Sequence, residues 1–328
     1  MRFTWARLVQ AAAFAALFTC FQTTPYQAAA QEFPLGRQIS FVCAFPAGSG
    51  ADIQVRFLAE KMSAIVGKTI IVDNKPGAGG NIAAQHVVQS NPDGYTVYVH
   101  SGSATAGNMH LFKNPPFDVR KALRPVASIS RAPFTLVVPA NHPAQNVREL
   151  TEILKKKGAS ANHAASSTSA KIMGAIYKQR AGLETVEINY RTSPDSMNDM
   201  LSGRLEFASF DAAFALSQAR AGRVRVLAVG SGERTKAMPD VPTMREQGVE
   251  MNHIGWWGAF VAAGTPEPIV QQWNALFAKL LSQKEVVDFH RVIGADVFMS
   301  TPKETHDLLV KTVDEWEELV RLAGIPKN

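Results

Sequence analysis

The chain has 328 residues, of which 46% are hydrophobic and 19% are charged, and its formal net charge is +6. This composition excludes an intrinsically disordered chain, and the length predicts two domains with real cores. The basic residues are scattered: Lys155–Lys157 is the only tight run, and it ends an amphipathic helix, where cations complement the helix dipole. The pattern therefore does not indicate nucleic-acid binding.

The first 30 residues are typical of a secretory signal peptide. Arg2 and Arg7 precede an apolar run over 8–21, and Ala28–Ala30 supplies the small residues required for cleavage. The run is shorter than the ~20 residues of a membrane-spanning helix, which disfavours an anchor. Cys20 leaves a lipoprotein variant open, although the bulky residues before it disfavour that reading. We expect cleavage after residue 30 and a periplasmic location.

Strand-like and helix-like segments then alternate to the end of the chain. The predicted strands cover 38–45, 69–73, 95–101, 126–130, 134–139, 185–190, 205–210, 224–230, 257–262 and 295–299. The predicted helices cover 50–66, 79–90, 147–157, 169–181, 195–202, 212–221, 266–282 and 302–323. This alternation predicts an α/β fold with mixed, mostly parallel sheets. Cys43, the single cysteine of the mature chain, lies in the first strand and is expected to be a buried structural thiol.

Proline and glycine residues mark two places where the chain is expected to cross between domains. Pro133 and Pro139 bracket one strand, and glycines bracket the segment that begins at Trp256. We expect 31–134 and 256–328 to form a discontinuous domain 1, and 135–255 to form domain 2. Two strand crossovers of this kind make a hinge.

The segment FPAGSGAD, residues 45–52, follows a strand and opens a helix. Its small residues let a ligand approach the backbone, and the first N–H groups of a helix attract anions. The expected ligand contacts here are Phe45, Ala47, Gly48, Ser49 and Asp52. The alternative for Asp52 is an acid that only stabilises the helix dipole.

The segment NKPGAGGN, residues 74–81, also lies between a strand and a helix. It is not a dinucleotide fingerprint, because Ile82 occupies the position of the third glycine. Ala78, Gly80 and Asn81 are candidate ligand contacts, and an ordinary glycine-rich turn is the alternative.

The opposing contacts are expected from domain 2. The hydroxyl-rich loop 164–169 opens a helix and provides Ser166, Ser167 and Ser169, although each serine could instead be a helix cap. The further candidates at strand ends are Ser101, Tyr190, Arg191 and Asp211. Asp211 could be only a cap, and Arg191 could be either a partner for a second carboxylate or a solvated side chain.

Enzyme signatures are missing from the sequence. The position two before Ser49 is Ala47, so 47–50 is not a nucleophile elbow, and the histidines lack metal-ligand spacing. No pair of carboxylates in a glycine-bracketed loop suggests acid–base work. We therefore expect neither catalysis nor a metal or other cofactor.

Taken in order, these segments resemble the Bug family, the extracytoplasmic substrate-binding components of tripartite tricarboxylate transporters. The resemblance covers essentially the whole mature chain. It rests on 45–52, 73–82, the turn 91–96, and the later segments 165–167, 189–190, 201–203, 238–243, 263–266 and 323–325. The chain departs from the family pattern at Ser49 and Ala51, after Ser167, and at Arg191.

The resemblance implies a two-domain periplasmic-binding-protein (Venus-flytrap) fold, type II-like, with a two-strand hinge. It also implies capture of a small carboxylate, such as a dicarboxylate, an amino acid or an aromatic acid. The expected partners are membrane permease subunits, and the receptor is expected to be a monomer. A sensor or adaptor subunit that binds the same ligand is the alternative, and a secreted enzyme is a weaker one. Trp256 and Trp257 at the expected hinge either pack there or line the cleft.

Overall fold

The computed structural model describes residues 33–34, 36–190 and 192–328, so the predicted signal peptide and Arg191 lie outside the described residues. The strands are β1 (Ile39–Cys43), β2 (Ile70–Asn74), β3 (Thr96–Ser101), β4 (Leu123–Pro139), β5 (Asn162–Ala165), β6 (Val186–Asn189), β7 (Phe207–Asp211), β8 (Val224–Val229), β9 (Ile254–Ala262) and β10 (Asp296–Val297). The helices are α1 (Gly50–Val66), α2 (Asn81–Val88), α3 (Gly102–Leu111), α4 (Val119–Ala122), α5 (Val147–Lys157), α6 (Thr168–Ala181), α7 (Ser193–Leu201), α8 (Ala212–Arg220), α9 (Glu267–Leu281), α10 (Lys284–Val292) and α11 (Pro302–Leu322).

The helix boundaries follow local chemistry. The Ser49 hydroxyl caps the start of α1, and Gly67 ends it in the left-handed conformation with φ 70°. Thr301 and Glu304 form a reciprocal capping box at the start of α11, with Pro302 at the first helical position, as the sequence predicts.

The strands form one mixed sheet in the order β2-β1-β3-β9-β4-β7-β5-β6, with β8 and β10 also paired to β4. The expected parallel pairing holds among the outer strands, where β1 pairs with β2 and β3, and β5 pairs with β6 and β7. Every pair between named strands that involves β4 or β9 is antiparallel. The long strand β4 pairs with β9 along its first part and with β7 and β8 along its last part. It therefore joins the two groups of outer strands.

Helices cover both faces of the strand group that contains β1, β2 and β3. On one face, α1 and α9 bury apolar side chains such as Leu58 and Trp273 in a core with Phe41. On the other face, α2, α3 and α11 pack around Tyr98 and Trp316. Burial on both faces explains why these strands read as continuous apolar runs in the sequence.

Candidate functional site

The strand directions bring two sets of loops towards each other. The C-terminal ends of β1, β2 and β3 lie at one edge, because these strands are parallel, and those of β5, β6 and β7 lie at another. Strand β4 runs in the direction of β3, since both are antiparallel to β9, and it runs opposite to β7. The two edges therefore face each other along β4.

The register shows how close these edges come. Ser101, the last residue of β3, pairs with Trp257, which pairs with Ser130 of β4. Asp211, the last residue of β7, pairs with Phe134 of β4. Four residues of strand span about 13 Å, so the two edges approach β4 within the reach of one small ligand. The ends of β3 and β7, which precede two of the predicted ligand loops, thus lie near each other along β4.

Asp52 is the centre of a hydrogen-bond network in the first loop. Its side chain is 1% exposed and accepts hydrogen bonds from the Gly48 N–H (2.8 Å), Arg56 Nε (2.9 Å) and Asn74 Nδ2 (2.7 Å). Burial alone would raise the pKa of this carboxyl, but the bonds from Arg56, Asn74 and Gly48 outweigh burial and lower the pKa below its usual range. Asp52 thus stabilises the conformation of the loop through buried hydrogen bonds.

The rest of the first loop presents backbone to solvent. Ala47 and Gly48 are exposed, and Gly48 has a φ of 82°. The Ser49 hydroxyl accepts a hydrogen bond from the Asp52 N–H at 3.3 Å, so its acceptor role is that of a helix cap.

The second loop has an unusual backbone. Gly77, Ala78, Gly79 and Gly80 all have positive φ, and Ala78, with φ 45°, is the one such non-glycine residue in the described chain. A Cβ on Gly80 would lie 2.8 Å from both the Tyr98 hydroxyl and His100 Nε2, so only glycine fits there.

Asn81 follows that turn and begins α2. Its Oδ1 accepts a hydrogen bond from Asn108 Nδ2 at 2.9 Å, and the same Asn108 amide donates to the Gly79 carbonyl. Helix α2 has no side-chain cap, since its N-cap residue is Gly80. The Asn81 N–H donates to the Ala78 carbonyl, but no side chain caps the N–H groups that follow it, so a ligand or water can bond there.

An aromatic wall lies behind these loops. The ring of Phe45 stacks on that of Trp257, with centroids 6.0 Å apart, and lies 5.1 Å from that of His100. Burial lowers the pKa of His100 to about 3, so this imidazole is neutral at physiological pH. Trp257 is half-buried, whereas Trp256 is 3% exposed and donates from Nε1 to the Thr312 hydroxyl. Trp256 thus packs against α11, and Trp257 packs against Phe45 of the first loop.

The serines of the opposing loop mainly bond to protein groups. The Ser167 hydroxyl caps α6 by accepting from the Ala170 N–H, and the hydroxyls of Ser166 and Ser193 are 3.0 Å apart. Ser169 lies in the first turn of α6. Burial lowers the pKa of His253 to about 4, and a hydrogen bond to the Ser169 backbone opposes that shift.

Tyr190 and Asp211 also have protein partners. The Tyr190 hydroxyl donates to Asp199 at 2.8 Å, and burial together with this carboxylate raises the pKa of Tyr190 to about 12. Asp211 caps α8 by accepting from the Phe214 N–H, and the rest of its side chain is exposed. Arg191 is outside the described residues, so its role stays a prediction.

Two residues that hold these loops in place were not predicted as site residues. Asn74 donates hydrogen bonds to Asp52 and to the Phe45 carbonyl in the first loop. Asn108 donates to the Gly79 carbonyl in the second. Asn108 lies in α3, a helix that the apolar periodicity does not reveal. Across 33–34, 36–190 and 192–328, the structure contains neither a cluster of three potential metal ligands nor a helix long and apolar enough to cross a membrane.

The mixed sheet, with its two groups of parallel strands joined by β4, is the fold of a periplasmic binding protein. The family model described as "Tripartite tricarboxylate transporter family receptor" matches residues 54–325. The chain belongs to this receptor family, so the predicted Bug-type membership is confirmed.

Relatives and solved structures agree with this assignment. BugT of Bordetella pertussis is 28% identical over 292 residues, which cover 88% of this chain and 90% of that protein. The adipate complex of Rpa4515 from R. palustris has a TM-score of 0.78 at 26% identity, covering 90% of this chain and 100% of that one. The periplasmic binding protein BugD has a TM-score of 0.73 at 28% identity, covering 89% and 99% of the two chains. These similarities confirm the predicted fold class.

The malate-bound MatC of Rhodopseudomonas palustris is a further structural neighbour. Its TM-score is 0.72 at 25% identity, and the match covers 88% of this chain and 100% of MatC. Two of these neighbours are thus described with small dicarboxylates.

Proposed function

We propose that this protein is a periplasmic receptor that captures a small carboxylate in the cleft and delivers it to the membrane permease subunits of a tripartite tricarboxylate transporter. Family membership supports the transport role, and the adipate and malate bound to its neighbours support the ligand class. The signal-peptide pattern of residues 1–30 supports export to the periplasm.

The observation that carries the proposal is the meeting of helix N-termini at the facing edges. Helices α1, α3, α6, α7 and α8 begin there with side-chain caps, whereas α2, whose N-cap residue is Gly80, has none. A carboxylate oxygen can take the place of a missing cap, because it accepts hydrogen bonds from free N–H groups and favours the positive end of the helix dipole. This explains how an anion could bind without a clamp of paired arginines.

The sheet supports the proposed division into domains. The N-terminal part of β4 pairs with β9 as far as Pro133, and the part from Phe134 onwards pairs with β7 and β8. Strand β9 begins at Ile254, close to the second expected crossover. We therefore keep 31–134 with 256–328 as domain 1 and 135–255 as domain 2.

We also propose that the protein binds its ligand without converting it. The hydroxyls of Ser49, Ser101 and Ser167 accept hydrogen bonds from the N–H groups of their own helices, which is a structural role. His100 is buried and neutral, so it is a poor general base. Recovery of the bound acid unchanged after incubation would support this; its conversion would contradict it.

A thermal-shift screen tests the receptor function. The protein from residue 31 onwards would be unfolded, washed free of ligand, refolded and mixed with mono-, di- and tricarboxylates. A ligand at 100 times its Kd should stabilise the protein by about 2.7 kcal/mol and raise Tm clearly. We expect one class of acid to produce this rise. A rise with neutral or cationic solutes, and with no acid, would contradict the proposal.

A further inference from the structure

A second cavity lies where the chain crosses between the two strand groups. Its volume is about 310 Å³, and it lies between β4, the loop that follows β8 and the start of β9. The lining residues are Arg131, Ser231, Gly232, Glu233, Arg234, Thr235, Arg245, Asn252 and Ile254. None of the residues that line this hinge cavity belongs to the predicted ligand loops, although Arg131 lies on the stretch of β4 that joins the two facing edges.

Cations outnumber anions in the lining of the hinge cavity. Three arginines line it, but only one acidic residue, Glu233. Arg234 is paired with Glu246 at 3.0 Å and Arg245 with Glu250 at 2.6 Å, and neither of these partners lines the cavity. The guanidinium groups of Arg234 and Arg245 each still have an N–H group that these ion pairs do not use.

Arg131 is the free cation of the three. Among the described residues it has no carboxylate within ion-pair distance, and its guanidinium lies 5.3 Å from the ring centroid of Phe298. The carboxylate of Asp296, its neighbour in the strand register, accepts instead from the N–H groups of Lys236 and Ala237. Arg131 therefore lacks a carboxylate partner, and a bound anion would supply the missing counter-charge.

The cavity also has neutral hydrogen-bonding groups. Thr235 is 5% exposed, and its hydroxyl has no partner in the described structure. The Asn252 Oδ1 accepts from the Gly232 N–H at 2.9 Å, which orients its amide nitrogen as a further donor. An unpartnered buried hydroxyl costs free energy unless a ligand or water bonds to it.

We propose that the hinge cavity binds a compact, multiply charged oxyanion, held by Arg131, Arg234 and Arg245 and by the Thr235 hydroxyl. Guanidinium forks match oxyanions through paired N–H donors, and several forks favour a dianion over chloride. Such an anion would touch both crossovers, since Arg131 lies on β4 and Asn252 precedes β9. It would therefore connect the two crossover segments without occupying the carboxylate cleft.

Inorganic phosphate is the probe, titrated at fixed ionic strength into the isotope-labelled protein saturated with its carboxylate ligand or with the cleft empty. We expect saturable shifts of the amide resonances of Gly232 and Asn252 in both cases. Arg131→Gln should weaken phosphate binding about tenfold, as expected for loss of one charge-assisted contact. Arg148→Gln is the control, because Arg148 is exposed on α5 away from the hinge cavity, and should bind as the wild type does.

Three results would overturn this inference. They are an unchanged phosphate affinity in the folded Arg131→Gln variant, shifts confined to the loops 45–52 and 78–81, or no saturation below about 10 mM phosphate. Circular dichroism of each variant separates loss of the fold from loss of binding. If Arg131→Gln does not fold, the resonance shifts of the wild type alone test the inference. They support it only if they lie at Gly232 and Asn252.

Discussion

Gly102→Ala is expected to destabilise the protein by about 3 kcal/mol, as severe overpacking in a core does. A Cβ at this position would lie 2.2 Å from the ring of Trp256. The ring cannot easily move, because Trp256 is 3% exposed, its Nε1 donates to Thr312 and its backbone N–H donates to the Ser103 hydroxyl. The urea midpoint and Tm of the purified variant measure this loss, which should also weaken ligand binding through the adjacent Trp257.

Gly50→Ala is the matched control. Gly50 and Gly102 are both the first residue of a helix that follows a strand and a serine cap. A Cβ on Gly50 would meet no atom within 4 Å, so we expect a change within about 0.5 kcal/mol. Equal stability of the two variants would show that Trp256 does not pack against α3 as described.

Asp52→Asn is expected to cost about 2–3 kcal/mol at pH 7. The substitution keeps the shape of the side chain but removes a buried charge that accepts three hydrogen bonds, and it places an NH2 group against groups that donate. Half of the Arg56 side chain is exposed, so solvent screens that ion pair and most of the effect comes from Gly48 and Asn74. Urea unfolding of both proteins measures the difference.

The pH dependence of this effect has a definite sign. The pKa of Asp52 is lower in the folded protein than in the unfolded chain, so its stabilisation is present above the unfolded pKa and is lost as pH falls through the folded value. The stability difference between wild type and variant should be constant near pH 7 and shrink below about pH 4. Asp211→Asn is the control, because asparagine caps a helix as well as aspartate does. A urea midpoint for Asp52→Asn equal to that of the wild type would contradict the hydrogen-bond network described for Asp52.

Most of the fold could be predicted from the sequence, because each predicted helix and strand overlaps an observed one. The separate strands expected at 126–130 and 134–139 are one strand, β4. Pro133 does not end it, since the strand continues past Pro133 while its partner changes from β9 to β8. Helix α3 was not predicted because its sequence, GSATAGNMHL, lacks apolar periodicity. Contact with α11 stabilises it, and Gly107 leaves room for Trp316.

The candidate site was predictable as a set of loops but not as a set of side-chain roles. Strand–loop–helix patterns locate 45–52, 78–81 and 166–169, since helix N-termini at parallel strand ends follow from local sequence. Whether Asp52 points inwards, or Tyr190 towards Asp199, depends on residues distant in the chain, such as Asn74. Those contacts form only when the strands pair, so no local pattern reports them.

Isothermal titration of the emptied protein with the best acid from the screen and with its primary amide tests the central claim most directly. The two molecules have nearly the same shape, but the amide lacks the negative charge and one acceptor oxygen, which free helix N–H groups require. We predict saturable binding of the acid and at least a tenfold weaker affinity for the amide, about 1.4 kcal/mol. Equal affinities would contradict carboxylate recognition by the facing helix N-termini.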